Sequence, residues 1–325
     1  MNVASQGFQQ PGIKNILIFV LLVALALVLP GLQWSLFGWL YIFLPLLGFF
    51  IFGRFGVYTG NKLLLTAVII SLIANLFVGS FDLFLFSNAM LLPGLVLHRS
   101  AERGDSPSLS GLKGCLSLAG GWLVVVAVVA AGSEVSIYSQ MLQALDQALT
   151  EASAQYRQSS GISAETIVVI EATIAQMKVV IPAILPGILG SLILLVIWTT
   201  MILGNILAER IDNFSAWPIF RQWVLPEKLI WTFIAMGIFI LIPMEPLPRI
   251  GINCILLLVI IYCFQGFSIA VFFMNKWKLP LLLRSFFYVM IIFQSLGTLI
   301  LLFFGIADIW VDFRKLKENT ASGNK

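Results

Sequence analysis

Long apolar runs separated by short polar intervals set the rhythm of this chain. The first covers about residues 16–29 and ends near Pro30-Gly31. Trp34 and Trp39 bracket the start of a second, which extends to about Phe52, and so short a connection predicts an antiparallel hairpin. A third occupies about 63–79. Each run is continuous rather than alternating, which predicts helices and argues against the strands of a barrel. The stretch FDLFLFSNAMLLPGLVL (81–97) is long enough to cross a bilayer again but carries Asp82, Ser87, Asn88 and Pro93. It reads as either a broken span or a re-entrant piece. Further spans are expected over about 116–131, 180–206, 229–242, 250–273 and 281–305, giving eight spans, or nine with 81–97.

Residues 133–178 follow a different pattern. Tyr138, Leu142, Leu145 and Leu149 recur at helical spacing, as do Ile170, Ile174, Met177 and Ile181 after a break at Gly161. Two amphipathic helices on the membrane face or against the bundle are expected. Ser163 suits an N-cap for the second, with Glu165 in its first turn. Pro182 is expected in the first turn of the following span, and Pro186 a turn deeper, where it kinks the helix.

Composition agrees with this pattern. The chain is 60% hydrophobic and 10% charged, whereas soluble domains are about half apolar and a quarter charged. The fold class is therefore an all-α polytopic transmembrane helical bundle in contact with the lipid bilayer. It is read as one integral membrane domain over 1–325, with the amphipathic segment at 133–178. The net charge of +4 is spread over several loops and offers no clustered basic face, which argues against nucleic acid. Cys115, Cys254 and Cys263 form no CxxC pair, His98 is the one histidine, and HExxH and GxxxxGK[ST] are absent. No metal site, no cofactor and no enzymatic activity are expected. The first apolar run lacks a following small-residue cleavage site and reads as a retained helix.

Charge then orients the spans. With the N-terminus inside and nine crossings, Lys14, Arg54, Lys62, Arg99, Arg103, Lys113, Arg210, Arg221, Lys228, Lys276, Lys278 and Arg284 all fall on the cytoplasmic side. The acidic 133–178 segment faces outward. Arg314, Lys315 and Lys317 break the pattern, unless the last span does not fully cross. Trp217, Trp223, Trp231, Trp277 and Trp310 lie near span ends, where aromatic anchors belong.

Polar residues inside the spans are the candidates for chemistry. Ser71, Asn75, Gly79 and Asp82 share one face if their helix continues. A carboxylate in hydrocarbon costs about 2.5–3.5 kcal/mol on insertion scales, so Asp82 either lines a cavity beside Asn75 or caps a turn at the interface. Tyr262, Gln265 and Gly266 lie together on one span, and Gln294, Ser295 and Thr298 form a patch on the last. Such groups either join helices to each other or hydrogen-bond a ligand held among them. The closing DIWVDFR sets Asp308 and Asp312 four residues apart, on one face if the helix continues, while Arg314 points elsewhere. Arg284, at the opposite end of that span, cannot reach them if the span is straight. Two carboxylates with no nucleophile, metal set or phosphate loop read as a charge cluster facing another loop or a partner protein.

The order of residues in WVLPEKLIWTFIAMG, INCILLLVIIYCFQGFSIAVFFMNKWKLPLLLRS and LGTLILLFFGIADIWVDFRKL resembles the YybS-like predicted membrane proteins of bacteria, an uncharacterised group. Trp231, Tyr262, Gln265, Gly266, Phe273, Pro280, Arg284, Gly305, Asp308, Asp312 and Arg314 carry the likeness, which covers roughly the last hundred residues. That group is remotely similar to the substrate-binding membrane components of energy-coupling factor transporters, which capture vitamins or metal ions within about six helices. The resemblance implies a bacterial cytoplasmic (inner) membrane protein that binds a small molecule and depends on an ATPase or other membrane subunits. This chain departs from those components in having more spans and no recognisable vitamin-binding motif. Two functions are consistent with the residues. One is a transporter-like protein with Asn75, Asp82, Tyr262, Gln265 and Gln294 on its cavity. The other is a scaffold that holds partners through DIWVDFRKLK and the 98–114 loop.

Overall fold

The structure, a computed structural model, describes residues 13–132, 136–158, 161, 163–212 and 215–315, and among these it is all-helical. The principal helices are α1 (Ile13–Leu32), α2 (Leu44–Val78), α3 (Phe81–Glu102), α4 (Pro107–Ala131), α5 (Ile137–Gln158), α6 (Ala164–Asp212), α7 (Leu229–Leu241), α8 (Leu247–Lys276), α9 (Leu281–Phe293) and α10 (Ser295–Val311). Every stretch expected to span is helical over most of its length, with 281–305 interrupted at Gln294. Among the described residues 5 helical runs are long and apolar enough to cross a membrane, or up to 6 if the bent pair α9–α10 is one span. The run Trp34–Val78 contains two of the expected spans, while 16–32 and 229–241 are shorter apolar helices. The 81–97 stretch belongs to one continuous helix, α3, with Pro93 inside it.

The chain divides into two compact units. The first comprises Met1–Trp122, Leu192–Ile230 and Val259–Lys325. Its core gathers Leu27, Leu44, Ile51, Leu97, Leu118 and Ile197, all 0–1% exposed. Glycines let the backbones of α2 and α3 touch: a Cβ on Gly94 would lie 2.5 Å from the Phe49 nitrogen. Gly56 breaks α2 with φ +71°. Beyond it the chain doubles back, because a Cβ on Gly60 would sit 2.9 Å from the Phe52 ring, whereas eight residues of straight helix would put them about 12 Å apart. Gly79, at φ +74°, ends α2 in the left-handed conformation that glycine adopts without strain.

Two of the expected tryptophan anchors turn inward. Trp217 is 2% exposed; it stacks on Phe49 at 5.5 Å, its indole donates to Ser110 Oγ at 2.9 Å, and its amide donates to Asn205 Oδ1 at 2.9 Å. Trp223 is half-buried, with its indole donating to the Pro218 carbonyl at 2.7 Å. Nearness to a span end misled here, since the 215–223 segment folds onto the bundle. Trp231, Trp277 and Trp310 remain exposed, as anchors require.

The second unit comprises Leu123–Ser191 and Trp231–Leu258. Here α5 and the first part of α6 form an antiparallel pair: Arg157 meets Glu171, and the Lys178 ammonium lies 2.7 Å from Asp146. Ser163 Oγ accepts the Thr166 amide at 3.2 Å and caps α6 as expected. The predicted start of a new helix near Pro182 is absent. Helix α6 runs unbroken for 49 residues, so Pro182 and Pro186 are both interior. Beside Pro186, Asn253 of α8 bonds the α6 backbone directly. Its Oδ1 accepts the Gly187 amide at 2.6 Å, and its Nδ2 donates to the Ala183 carbonyl at 2.9 Å. Those two backbone groups are four residues apart, the donor and acceptor of one helical rung. Gly187 makes room for this, since a Cβ there would lie 2.8 Å from Asn253 Oδ1.

Asn253→Leu removes one donor and one acceptor from this backbone, where a polar group left buried and unpaired costs roughly 1–3 kcal/mol. We expect a marked loss of stability in denaturant or thermal unfolding of the detergent-solubilised protein; an unchanged midpoint would show that Asn253 does not hold α6 there.

Candidate functional site

The carboxy-terminal part of the first unit is built on a backbone-to-backbone crossing. A Cβ on Gly266 of α8 would lie 2.0 Å from the Leu301 carbonyl oxygen, and one on Gly305 of α10 would lie 2.0 Å from that of Tyr262. Over this contact Cys263 faces the Thr298 carbonyl at 3.8 Å, and Gln265 reaches Asp308 at 2.8 Å. Ten residues of α10, about 15 Å of axis, thus meet only four or five of α8, so the helices cross steeply. The expected straight span over 281–305 is therefore not formed. Gln294 is extended, at φ −105° and ψ 125°, and α9 and α10 are bent by 96° across it.

Helix α10 ends at Val311, where Asp312 takes the left-handed conformation at φ 41°. The chain then turns back, and Arg314 comes to lie against Asp308 instead of pointing away. The expectation that Arg314 faces elsewhere assumed that the helix continues, which it does not. Arg314 Nη2 and Asp308 Oδ2 are 2.9 Å apart, with the two residues only 4% and 5% exposed. Five further groups hold the pair. Gln265 Nε2 donates to Asp308 Oδ2 at 2.8 Å, and the Phe313 amide donates to Asp308 Oδ1 at 3.0 Å. Arg314 Nη1 lies 2.9 Å from the Arg221 carbonyl, 3.0 Å from that of Trp223 and 2.8 Å from Ser268 Oγ. Ser268 donates in turn to the Phe220 carbonyl at 2.8 Å. One guanidinium thus fastens the 220–223 segment, α8 and the end of α10 together. A fork of five donors suits this, where a lysine ammonium would not.

Two cavities adjoin this clasp. The smaller, about 20 Å³, is bordered by Glu227, Gln265, Asp308 and Asp312. The larger, about 290 Å³, is lined by the amino-terminal half of α4, the later part of α6, residues 220–229 and α8. Trp198, Met201, Phe220, Trp223 and Phe264 dominate its wall, and among the described residues no charged side chain reaches it. Trp198 and Phe264 stack with centroids 4.1 Å apart and planes 4° from parallel, and Phe220 meets Trp198 edge-on at 5.5 Å. Gln265 borders both cavities.

Of the five residues expected around a ligand, only Gln265 borders either of these cavities. Asn75 is buried, and its Nδ2 donates to the Ser71 carbonyl of its own helix at 2.8 Å. The stripe it was to share with Asp82 ends at Gly79; Asp82 is exposed in the first turn of α3, where a carboxylate suits the positive end of the helix. Tyr262 is 0% exposed within the glycine crossing, and Gln294 marks the break. Arg284 stands apart from the clasp: it donates to the Leu279 carbonyl at 2.7 Å and Asn275 Oδ1 at 3.0 Å, closing the turn between α8 and α9. Sequence reasoning missed Trp198, Phe264 and Ser268. The signal present was an aromatic cluster on α8, Phe264 with Phe267, flanking the polar positions 265 and 268. No group of three or more His, Cys, Asp or Glu among the described residues is arranged to hold a metal ion.

A bundle of long apolar helices, pinned at its carboxy end by a buried ion pair, defines an integral membrane protein. The family model described as predicted membrane protein (DUF2232) matches residues 17–309. The chain belongs to that family. No curated protein and no solved structure matches it.

Removing one partner of a buried pair typically costs about 3–5 kcal/mol, whereas replacing both by apolar groups is often neutral. Arg314→Gln is therefore expected to destabilise strongly and to free the 220–223 segment, read by hydrogen exchange, with the double variant Asp308→Leu/Arg314→Met recovering part of the loss. The clasp also dictates sidedness, since Arg314 touches the segment carrying Arg221. In a cysteine-free background, Gln222→Cys and Lys315→Cys are expected to react with a membrane-impermeant maleimide from the same side. Labelling from opposite sides would contradict the clasp.

Proposed function

We propose that this protein binds a small molecule within the helices of its first unit and serves in moving it across or out of the membrane, without enzymatic chemistry. The observation that carries this reading is the cavity of about 290 Å³ beside Gln265, close to the lower bound of small-molecule sites. Capture among the helices followed by rocking or toppling of the bundle is the corresponding mechanism. The sequence contains no GxxxxGK[ST] phosphate loop, so ATP drive in this reading comes from other chains. On the resemblance of the carboxy-terminal third, we place the protein in a bacterial cytoplasmic membrane.

A scaffold acting through DIWVDFRKLK needs Asp308 and Arg314 turned outward, and both are buried against each other. In the other proposed contact loop, Asp105 is held by Lys113 and Ser100. These internal commitments favour the transporter-like reading over the scaffold.

The test is purification from native membranes in mild detergent, with co-purifying small molecules and proteins identified by mass spectrometry, for the native chain and for Gly111→Leu. Gly111 borders the cavity, and a Cβ there meets only Met201 Sδ, at 3.6 Å, so the larger side chain fills space without striking backbone. A molecule retained by the native chain and lost from Gly111→Leu is expected. A stable protein assembly carrying no such molecule would replace this reading with the scaffold.

A further inference from the structure

The polar groups around the cavity define what it accepts. Its wall includes the hydrogen-bonding side chains of Ser108, Gln265, Ser268, Trp198 and Trp223, and the buried Trp198 indole N–H has no acceptor among the described residues. Ser108 Oγ donates to the Val224 carbonyl at 3.2 Å. Ser268 Oγ donates to the Phe220 carbonyl and accepts from Arg314. Gln265 Nε2 is taken by Asp308. That bond fixes which way the amide is flipped and leaves Gln265 Oε1 as an acceptor that no donor among the described residues occupies. Gln265 is 5% exposed, and both cavities it borders are the spaces left to it.

Charge is excluded on the same grounds. Among the described residues no Asp, Glu, Lys, Arg or His borders the larger cavity, and the nearby Asp308 and Arg314 neutralise each other. An ionic ligand would lose its hydration and gain no counter-charge, a loss that apolar burial does not recover. A neutral apolar body against Trp198, Phe220 and Phe264 gains by leaving water.

We infer that the cavity takes an uncharged, predominantly apolar molecule bearing one hydroxyl or N–H group, which donates to Gln265 Oε1. This rests on the small-molecule reading above and narrows it to one chemical class. Because the same glutamine holds Asp308, the ligand's donor sits one hydrogen bond away from the clasp that fastens α8, α10 and the 220–223 segment.

The test uses the full chain in nanodiscs and four brominated probes sharing one alkyl chain, ending in an alcohol, its methyl ether, a carboxylate or a quaternary ammonium. Binding is read as quenching of tryptophan fluorescence, since Trp198 and Trp223 border the cavity. The alcohol is expected to bind about tenfold more tightly than its ether, as one neutral hydrogen bond allows, and more tightly than either ion. Gln265→Met should erase the preference for alcohol over ether, and Gly111→Leu, which leaves Gln265 in place, should erase saturable quenching by every probe. If Gln265→Met does not fold, the probe ranking in the native chain and the block by Gly111→Leu still decide. Equal binding of alcohol and ether, blocked by Gly111→Leu, would overturn the assigned class and leave small-molecule binding standing. Tighter binding of either ion would overturn the class as well. Absence of quenching sensitive to Gly111→Leu with all four probes would overturn both.

Discussion

A peptide group inside hydrocarbon has no water to turn to, so each interruption of a helix must be answered by another part of the protein. This constraint runs through the structure at several points. Where α2 stops, the Asn75 carbonyl accepts the amides of Gly79 and Ser80. Where Pro186 interrupts the donors of α6, the Asn253 amide offers the neighbouring backbone one donor and one acceptor. Where the 220–223 segment turns, Arg314 supplies donors to the Arg221 and Trp223 carbonyls and Ser268 adds a second donor to that of Phe220. The polar residues are few because the chain is only 10% charged, and those just named are spent on backbone.

That use of polar groups separates the site from its surroundings. Asp308 and Arg314 resemble catalytic or partner-binding charges when read along the chain, yet they form an internal fastening whose members are each held several times over. A buried ion pair contributes specificity of arrangement more readily than net stability, and here the arrangement specified is the return of the chain after Val311. The cavity beside the clasp inherits a wall that is apolar by area and polar at few points.

Much of the architecture was legible because hydrophobic runs of span length admit one interpretation in lipid. The capped amphipathic helix after Ser163 was readable for the same kind of reason, since cap and periodicity agree. The breaks were harder. Gln294 lies with Ser295 and Thr298 in a polar patch inside a long apolar stretch, and such a patch reads equally as a bend, a ligand contact or interhelical glue. Arg314 appeared to point away from Asp308 because i and i+6 are not neighbours on a helix, and no local signal announced that Asp312 would adopt a left-handed conformation. The place of Trp217 near a span end predicts an anchor, whereas its ring partners, Phe49 and Ser110, are more than a hundred residues distant in sequence. Asn253 answers a proline on a different helix, a relation visible only once α6 and α8 are placed together. Local chemistry reads well; long-range complements do not.

The glycine crossing of α8 and α10 has a mechanical consequence. Side chains between helices act as bearings, able to change rotamer while one helix slides on another. Gly266 and Gly305 place backbone directly on backbone, so no bearing exists there and the two helices lock like a lap joint. The spacing of α8 and α10 at this joint is therefore set by main-chain atoms, and any residue larger than glycine at either position would wedge the two helices apart.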